Sequence, residues 1–340
     1  MRHSTCESSN CSFEISRRRE SGASIPAVLL FAFTLLLALQ PLMSAGTLLP
    51  PEQISSRYLS DSRTIRVYLP PSYEHSPKRR YPVLYLQDGQ NVFSSAGADC
   101  CFGWGSWELD KTVDTLAVEG RMQEIIMVAV DNSRLRYQEY RGPSRSSSVK
   151  SAASKRQPDG SAEQDRFEQY ASFLIKELKP RIDQQYRTLR TAGHTGVMGS
   201  SLGGICSLAL AWGYPRTFGA AASLSGSFQI EKNYFLEKVL QPYKRKAKPI
   251  RLYLDSGVID FTGDDDGRRY TQAVSSELRR IGWKDGVNLQ EFVDLKPLSE
   301  GELEKTGLRS SKWKEAQSSQ HNEFCWRQRA WRALIFLFPP

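Results

Sequence analysis

Cysteine and histidine are scarce in this sequence, with six cysteines and four histidines among 340 residues. They do not show the paired Cys/His spacing of a zinc site, so the sequence predicts no metal site. Motifs typical of nucleic-acid-binding proteins are also missing. The formal net charge is +9, but lysine and arginine are spread along the chain and form only short clusters at 145–156 and 244–251. We interpret this charge as a solvated basic surface and expect no nucleic-acid partner.

Long apolar runs are lacking except near the N-terminus, where residues 25–39 are mostly apolar. Arg17–Arg19 precede this run and the small residues Ser44–Gly46 follow it, which is the order of a secretory signal. The run is short for a membrane span. We therefore predict that residues 1–46 are a cleaved signal peptide, with an uncleaved N-terminal anchor or a start codon assigned too far upstream as alternatives. In each case the folded part, 47–340, is predicted to be exported (periplasmic, extracellular or cell-surface). A membrane partner is expected only if the N-terminal segment remains attached.

Strand and helix patterns alternate along the rest of the chain. Strands are predicted at "VLYLQ" and "EIIMVAVDN", both buried, and at "HTGVMGSS", "FGAAASLSGSF" and "PIRLYLDSG". This alternation predicts an α/β fold in a single domain, with a mostly parallel central sheet and helices on both faces. Residues 141–164 are rich in Ser, Lys, Arg, Gly and Pro and are predicted to be a flexible insertion. In such folds the active site lies at the carboxyl ends of the strands, where Gly89, Ser201 and Gly257 are expected to converge.

A G-x-S-x-G pattern, "GSSLG", follows one predicted strand and precedes a predicted helix. A nucleophilic serine needs a sharp strand-to-helix turn, and Gly199 and Gly203 would leave room there for the neighbouring backbone. The N-terminus of the following helix would favour an oxyanion. Ser201 is the candidate nucleophile, because Ser200 has no glycine two positions before it. The alternative is an ordinary Gly-Ser turn.

A serine needs a base to act as a nucleophile at neutral pH. Three histidines follow the N-terminal segment. His75 lies in a polar turn, and His194 lies at the far end of the strand that leads to Ser201. His321 follows a polar loop and opens the last predicted helix, so it is the candidate base. The alternative for His321 is a helix N-cap.

The base needs a carboxylate partner to fix its tautomer. Asp260 lies in the loop just after the strand "PIRLYLDSG", and we predict that it is this partner, with Asp255 in the strand itself as the reserve. The acidic residues 264–266 lie at a predicted helix start, where capping and the helix dipole explain them without catalysis. The chain order Ser201, Asp260, His321 is that of the α/β-hydrolase triad.

An oxyanion hole needs two backbone N–H groups that point at the reacting carbonyl. One is predicted to come from Leu202, directly after the nucleophile. The other is predicted to come from Gln90, next to Gly89, in the loop after "VLYLQ". The alternative for Gly89 is an ordinary strand-to-helix turn.

A series of segments between about 55 and 340 resembles the branch of the α/β hydrolases that includes the enterochelin and feruloyl esterases, esterase D and the mycobacterial mycolyltransferases. The segments are "VYLPPSY", "YPVLYLQDGQNVF", "VAVDNSRLRYQEY", "FLIKELKPRIDQQYRT", "VMGSSLGG", "LYLDSG" with a following Asp, and "HNEFCWRQR". The resemblance implies a single-domain α/β-hydrolase fold and an esterase that uses no cofactor. It assigns the nucleophile to Ser201, the acid to Asp260, the base to His321 and the oxyanion amides to Gln90 and Leu202.

Substrate identity is weakly encoded. Phe93, Trp104 and Trp107 follow the predicted oxyanion loop and are expected to line an aromatic or sugar site, with core packing as the alternative. Arg136 and Glu139 follow a strand end and are expected to bind a polar substrate group, with a loop salt bridge as the alternative. The sequence departs from the family pattern in the long insertion at 141–164 and in the long stretch before His321, and both departures affect the predicted substrate pocket.

The function predicted from these residues is hydrolysis of carboxylic esters through a Ser-His-Asp acyl-enzyme mechanism. The expected substrate is a small-molecule or glycan ester, such as an acyl group on a polysaccharide or a siderophore ester. An acyltransferase would share every catalytic residue and is one alternative. A non-catalytic carbohydrate-binding protein is the other, although such a protein would be expected to lack part of the triad.

Overall fold

Residues 45–143, 165–297, 299, 301 and 319–340 are described by the computed structural model. Nearly all of the predicted signal or anchor segment, 1–46, lies outside these residues, as does most of the predicted insertion at 141–164. Within the described ranges, no helix combines the length and the apolar character needed to cross a bilayer.

One sheet of nine strands organises the described residues. The strands are β1 (Thr47–Leu48), β2 (Glu52–Ile54), β3 (Arg63–Leu69), β4 (Val83–Leu86), β5 (Ile126–Val130), β6 (Thr195–Ser200), β7 (Ala220–Leu224), β8 (Arg251–Ser256) and β9 (Leu289–Val293). They lie in the order β1-β3-β5-β4-β6-β7-β8-β9, and β2 also pairs with β3. The pairs from β5 across to β9 are parallel, whereas β1, β2 and β5 are each antiparallel to β3. The predicted mostly parallel sheet is confirmed.

Helices cover both faces of this sheet. They are α1 (Leu109–Val118), α2 (Arg136–Tyr140), α3 (Arg166–Phe173), α4 (Lys179–Gln185), α5 (Leu202–Gly213), α6 (Ile230–Tyr234), α7 (Arg268–Ile281) and α8 (Glu323–Leu337), with π-helical turns at Leu174–Leu178 and Phe235–Leu240. Helix α5 contacts β6 and β7, and α7 contacts β8. Helices α1 and α8 contact each other, and α8 also contacts β7 and β8. The predicted α/β fold class is therefore confirmed.

Strand β4 shows how the sequence fixes this layered arrangement. Val83 and Tyr85 belong to the apolar core on one face of the sheet, and Leu84 and Leu86 belong to the core on the other face. Successive side chains of a strand point to opposite faces, so a strand covered on both sides must be apolar at every position. The run "VLYL" meets this requirement, since all four residues are at most 1% exposed.

The helical segment that contains Pro180 is continuous across the residues before the proline. Helix α3 continues through the π-helical turn Leu174–Leu178 into α4, where Pro180 lies in the first turn. Proline has no N–H to donate, and a widened turn just before it absorbs the mismatch in the backbone hydrogen bonds. The helix therefore stays packed on the sheet, and the Tyr170 hydroxyl of α3 donates a 2.5 Å hydrogen bond to Gln87, just after β4.

The parallel register brings the carboxyl ends of the central strands to one edge of the sheet. Ser200 at the end of β6 is paired with Leu224 at the end of β7, and Leu224 is paired with Asp255 near the end of β8. The segments that leave these strands, together with the turn after β4 and the residues that precede α8, carry the side chains of the candidate site.

Candidate active site

Ser201 lies at a sharp turn between β6 and α5. Its backbone has φ 54° and ψ −122°, a strained conformation for a residue with a side chain. A Cβ on Gly199 would lie 2.6 Å from the carbonyl of Gly203, and a Cβ on Gly203 would lie 2.9 Å from Gln87. Both positions therefore require glycine, as the G-x-S-x-G pattern predicts. The Ser201 amide donates to the carbonyl of Leu224 (2.9 Å), which fastens the turn to β7.

A chain of hydrogen bonds joins Ser201, His321 and Asp266. His321 Nε2 lies 2.9 Å from Ser201 Oγ, and His321 Nδ1 lies 2.6 Å from Asp266 Oδ1. The Asp266 side chain is fully buried, and the imidazole is 16% exposed. In the neutral tautomer that carries its proton on Nδ1, the imidazole donates to the carboxylate, and Nε2 accepts from the serine hydroxyl. The structure thus brings together Ser201 and His321, but it supplies a different acid.

The prediction that Asp260 pairs with His321 is wrong. Asp260 Oδ1 accepts from the amides of Thr262 (2.7 Å) and Asp264 (3.0 Å) and from the Thr262 hydroxyl (2.6 Å). Aspartate in a loop commonly binds the backbone a few residues further on, and Asp260 stabilises its own turn in this way. Its carboxylate is therefore engaged within the loop.

Asp266 is held in place by groups from two neighbouring loops. Its Oδ2 accepts from the Gly257 amide (2.5 Å) and from the Ser225 hydroxyl (2.6 Å). Helix α7 begins two residues later, so the helix start predicted for residues 264–266 is present, but the Asp266 side chain points into the protein. Burial alone would raise the pKa of Asp266, yet the hydrogen bond and charge of His321 and the charge of Arg329 bring the pKa below its ordinary value. The carboxylate is therefore ionised at neutral pH.

Asp255, the reserve candidate for the acid, lies within β8 and bonds to other groups. Its Oδ1 accepts from Arg329 Nε (3.0 Å) and from the Ser225 amide (3.2 Å). Burial raises the pKa of Asp255 to about 6, although the charge of Arg329 opposes this rise. Asp255 therefore lies beside the candidate triad rather than in it.

The residues predicted to supply the oxyanion amides lie in the segments that follow β4 and β6. Leu202 is the first residue of α5, so its N–H has no partner within the helix. Gln90 lies in the 3-10 turn Gly89–Asn91 after β4 and lines the same cavity as Ser201. Their role as an oxyanion hole stays a prediction.

Gly89 is needed for this turn to pass close to β5. A Cβ at this position would lie 2.8 Å from the backbone carbonyl carbons of Ala129 and Val130. Asp88, which precedes it, has φ 54°, so the chain reverses abruptly as it leaves β4.

A cavity of about 690 Å³ opens at Ser201 and His321. Its described lining contains a polar set, namely Asp88, Gln90, Asn91, Asn132, Arg136 and Glu323, and an aromatic set, namely Phe102, Trp104, Phe261 and Trp326. Phe102 and Phe261 are 88% and 60% exposed, so both also face solvent. Among the described residues, no group of three or more His, Cys, Asp or Glu side chains is arranged to hold a metal ion.

Arg136, which was predicted to bind substrate, is part of the polar set. Its Nε and Nη2 donate to the two carboxylate oxygens of Asp88 at 2.7 and 2.8 Å. Asn132 Nδ2 also donates to Asp88 (2.5 Å). Two parallel hydrogen bonds fix a guanidinium firmly, so Arg136 presents a fixed edge to the cavity rather than a free charge. Its contact with substrate stays a prediction.

Trp107 and Glu139 do not take the places predicted for them. Trp107 is 5% exposed and packs against Trp326 in the apolar core, with ring centroids 5.9 Å apart. Trp104, three residues earlier, lines the cavity instead. Glu139 is 1% exposed, forms a buried ion pair with Arg63 and accepts from the Ser133 hydroxyl (3.1 Å). For both residues the alternative fits the structure, namely core packing for Trp107 and a salt bridge for Glu139.

A Glu139→Gln substitution is expected to lower the free energy of unfolding by about 3–5 kcal/mol, because it leaves the buried Arg63 guanidinium without its counter-charge. Urea unfolding measures this loss, and an Arg63→Met/Glu139→Gln double variant should recover part of it. KM for a soluble ester should stay close to the wild-type value. A large rise in KM at unchanged stability would instead indicate that Glu139 contacts the substrate.

Several residues of the site were not predicted. Ser227 Oγ lies 3.2 Å from Ser201 Oγ, Asn91 Nδ2 donates to Glu323 Oε1 (3.0 Å), and the ring of Phe261 meets the edge of His321 with centroids 5.9 Å apart. The rule that strand ends converge could have found Ser227, which follows β7. Phe261 and Glu323 each lie within two residues of a predicted site residue, but nothing in their type indicates that they reach the cavity.

The sheet order and the serine turn are those of an α/β-hydrolase fold, and the hydrogen-bonded chain Ser201–His321–Asp266 forms a candidate serine triad. The model of the family described as "Putative esterase" matches residues 56–282, which is 227 of the 340 residues. The chain belongs to this family.

Individual relatives are distant. The uncharacterized protein YbbA of Bacillus subtilis is 25% identical over 183 residues, which cover 52% of this chain and 61% of YbbA. The chain thus spans about three fifths of the length of this relative. Among solved structures, a ferulic acid esterase has a TM-score of 0.59 at 18% identity and covers 87% of this chain and 99% of its own. The enterobactin esterase FES from Shigella flexneri has a TM-score of 0.57 at 18% identity and covers 85% of this chain and 59% of its own. These structures share the fold.

Proposed function

We propose that the protein is an exported serine esterase that hydrolyses carboxylic esters through a covalent acyl-enzyme. The observation that carries the proposal is the hydrogen-bonded chain from Ser201 through His321 to the buried carboxylate of Asp266, in the wall of a cavity of about 690 Å³. Nucleophile, base and orienting acid at these distances are the recurring arrangement of serine hydrolases.

In the first half of the reaction, Ser201 Oγ forms a bond to the carbonyl carbon of the ester while its proton moves to His321 Nε2. Asp266 stabilises the imidazolium that results. The negative charge moves to the former carbonyl oxygen, where the amides of Gln90 and Leu202 would each contribute about 3–4 kcal/mol. The bond to the leaving alcohol then breaks, and the imidazolium protonates its oxygen.

In the second half, water attacks the acyl group on Ser201 and gives a proton to His321 Nε2. Collapse of this intermediate breaks the bond to Oγ, which takes the proton back, and the free acid leaves. Every proton moves between Nε2 and an oxygen, so the proposed reaction uses no cofactor.

The lining of the cavity favours an uncharged ester with hydroxyl and ring groups. The aromatic set offers flat faces for a ring, and the polar set offers partners for hydroxyls. Of the described lining residues, Arg136 is the one cation; it is bound by Asp88, and Glu323 adds a second carboxylate. An ester with several ionised catechols would meet little positive charge there. We therefore place acyl esters of glycans, including feruloyl esters, ahead of siderophore esters.

Export is supported by the order of charged, apolar and small residues between Arg17 and Gly46. Expression of the full chain with a C-terminal tag, followed by cell fractionation and N-terminal sequencing, tests this part of the proposal. Protein that stays in the cytoplasm with its N-terminus intact would contradict it.

The substrate is tested with a panel of esters: p-nitrophenyl acetate, methyl ferulate, an acetylated xylo-oligosaccharide and a catechoyl-serine ester. We expect hydrolysis of the first three, with a lower kcat/KM for the catechoyl ester. Adding a sugar alcohol and measuring acylated sugar against free acid distinguishes an acyltransferase from a hydrolase. Glycan binding without hydrolysis of any ester in the panel would favour the carbohydrate-binding alternative.

A further inference from the structure

Arg329 of α8 is the largest of the side chains that lie fully in the interior, and it is 2% exposed. Its Nε donates to Asp255 Oδ1 (3.0 Å), and its Nη2 lies 3.6 Å from Asp266 Oδ2. Burying three charged groups together costs several kcal/mol per ion in desolvation, and an apolar cluster of the same volume is often as stable. Stability alone is therefore a weak reason for this cluster.

Ser225 links the cluster to the candidate triad. Its hydroxyl donates to Asp266 Oδ2 (2.6 Å) and accepts from Arg329 Nη2 and from Trp326 Nε1 (3.0 Å). A hydroxyl has one proton and two lone pairs, so all of its hydrogen-bonding capacity is used. Because two donors from α8 occupy its lone pairs, the Ser225 proton must point at Asp266. The carboxylate oxygen remote from His321 is fixed as a result.

We propose that Arg329 and Asp255 are positioning residues that fix the orientation and the effective charge of Asp266. This inference rests on the proposed function. When Asp255 is ionised, the carboxylates of Asp255 and Asp266 and the guanidinium of Arg329 leave one unbalanced negative charge beside a neutral imidazole. That charge is balanced when His321 becomes an imidazolium, which is the state that forms during the reaction. The cluster is thus matched to the reacting state rather than to the resting state.

Other charged or titratable groups surround the cluster and stay unchanged in the test. They are Asp294 after β9, whose Oδ2 lies 4.0 Å from Arg329 Nη1, Tyr253 on β8, Cys325 and Arg332 on α8, Glu323 at the start of α8, Asp88 after β4, and Asp260 in the loop after β8. Substitution of Asp255 changes the charge of the cluster and removes no hydrogen bond to His321 or Asp266.

An Asp255→Asn variant removes the extra negative charge of the cluster. The charge of the Arg329 guanidinium then balances that of the Asp266 carboxylate. The imidazolium that forms during the reaction is then less stabilised by the cluster. We expect the acid limb of kcat/KM on p-nitrophenyl acetate to move to lower pH by about half a unit or more, and kcat to fall about tenfold. An Arg329→Gln/Asp255→Asn double variant restores the charge of the cluster, so it should return the limb to its wild-type position.

An Arg329→Lys variant keeps the charge and should leave the limb in place while lowering kcat, because lysine cannot reproduce the paired geometry.

Urea unfolding of each variant separates stability from activity. If Asp255→Asn and the double variant lose stability but keep the wild-type limb, the cluster is structural and the proposal is wrong. If the wild type itself shows no Ser201-dependent hydrolysis, the proposed function fails instead. Should Asp255→Asn not fold, an Arg329→Gln variant carries the test: it leaves both carboxylates without the guanidinium charge, so the acid limb should move to higher pH, and a limb that stays in place would contradict the proposal.

Discussion

A Ser201→Ala variant is expected to lose at least about 10⁴-fold of the wild-type kcat on p-nitrophenyl acetate. Without Oγ no acyl-enzyme can form, and only the oxyanion donors and substrate binding remain to accelerate the reaction. The turn should survive, because alanine keeps the Cβ that this positive-φ position already accommodates. Initial rates of the purified proteins give the loss, and matched unfolding temperatures show that both are folded.

Ser200→Ala is the matched control for this variant. Ser200 is the residue just before Ser201, is 5% exposed and lines the same cavity. It is at the end of β6 and lacks the turn geometry, so its loss should cost less than about tenfold in kcat. A fluorophosphonate reagent should label the wild type and Ser200→Ala but not Ser201→Ala. Labelling that follows Ser200 instead would overturn the assignment of the nucleophile.

The serine turn was predictable because its constraints are local. The backbone of Gly203 leaves no room for a Cβ at Gly199, and the side chain of Gln87 leaves none at Gly203, and the pattern of two glycines around a serine records that exclusion directly. The strand before it and the helix after it were also predictable, since Val197 and Met198 give the strand an apolar centre and residues 205–212 form a mostly apolar run that suits a buried helix. The glycines and the serine of this turn lie within five residues, so a short sequence pattern identifies it.

The acid was not predictable in the same way. Asp255, Asp260 and Asp266 all lie within twelve residues, at or beyond the same strand end. The choice among them depends on how the loop after β8 folds, and there Asp260 binds its own turn while Asp266 is held by Gly257 and Ser225. Ser225 follows a different strand, so no spacing within the loop could indicate the outcome. The helix predicted to start at residues 264–266 begins at Arg268, but its N-cap is Gly267 without a side-chain capping bond, and the capping explanation did not exclude a second role for Asp266.

The substrate residues show a related limit. The alternatives weighed for Trp107 and Glu139 were a packed tryptophan and a salt bridge, and those are what the structure contains. Residue type alone could not separate Trp107 from Trp104, because both follow the loop after β4 and only the backbone path decides which ring faces the cavity. Arg136 lies in the lining as expected, but its partner Asp88 is remote in sequence.

An Asp266→Asn variant is expected to lower kcat by about 10⁴-fold. The amide that replaces the carboxylate cannot balance the imidazolium. If the amide nitrogen faces Nδ1, it also favours the tautomer with the proton on Nε2. That nitrogen then cannot accept the proton of the serine hydroxyl. KM should change little, because Asp266 is buried behind His321 and does not line the cavity of about 690 Å³.

Asp260→Asn provides the matched control for the acid, six residues earlier in the same loop. Its carboxylate is bound to Thr262 and Asp264, so the substitution should reduce kcat by less than about tenfold and have a small effect on stability. The pair of variants compares two aspartates of one loop under the same assay. Nearly full activity in Asp266→Asn together with a loss of several orders of magnitude in Asp260→Asn would mean that the loop rearranges in the working protein. It would also mean that the bond between Asp266 and His321 is not the one used in the reaction.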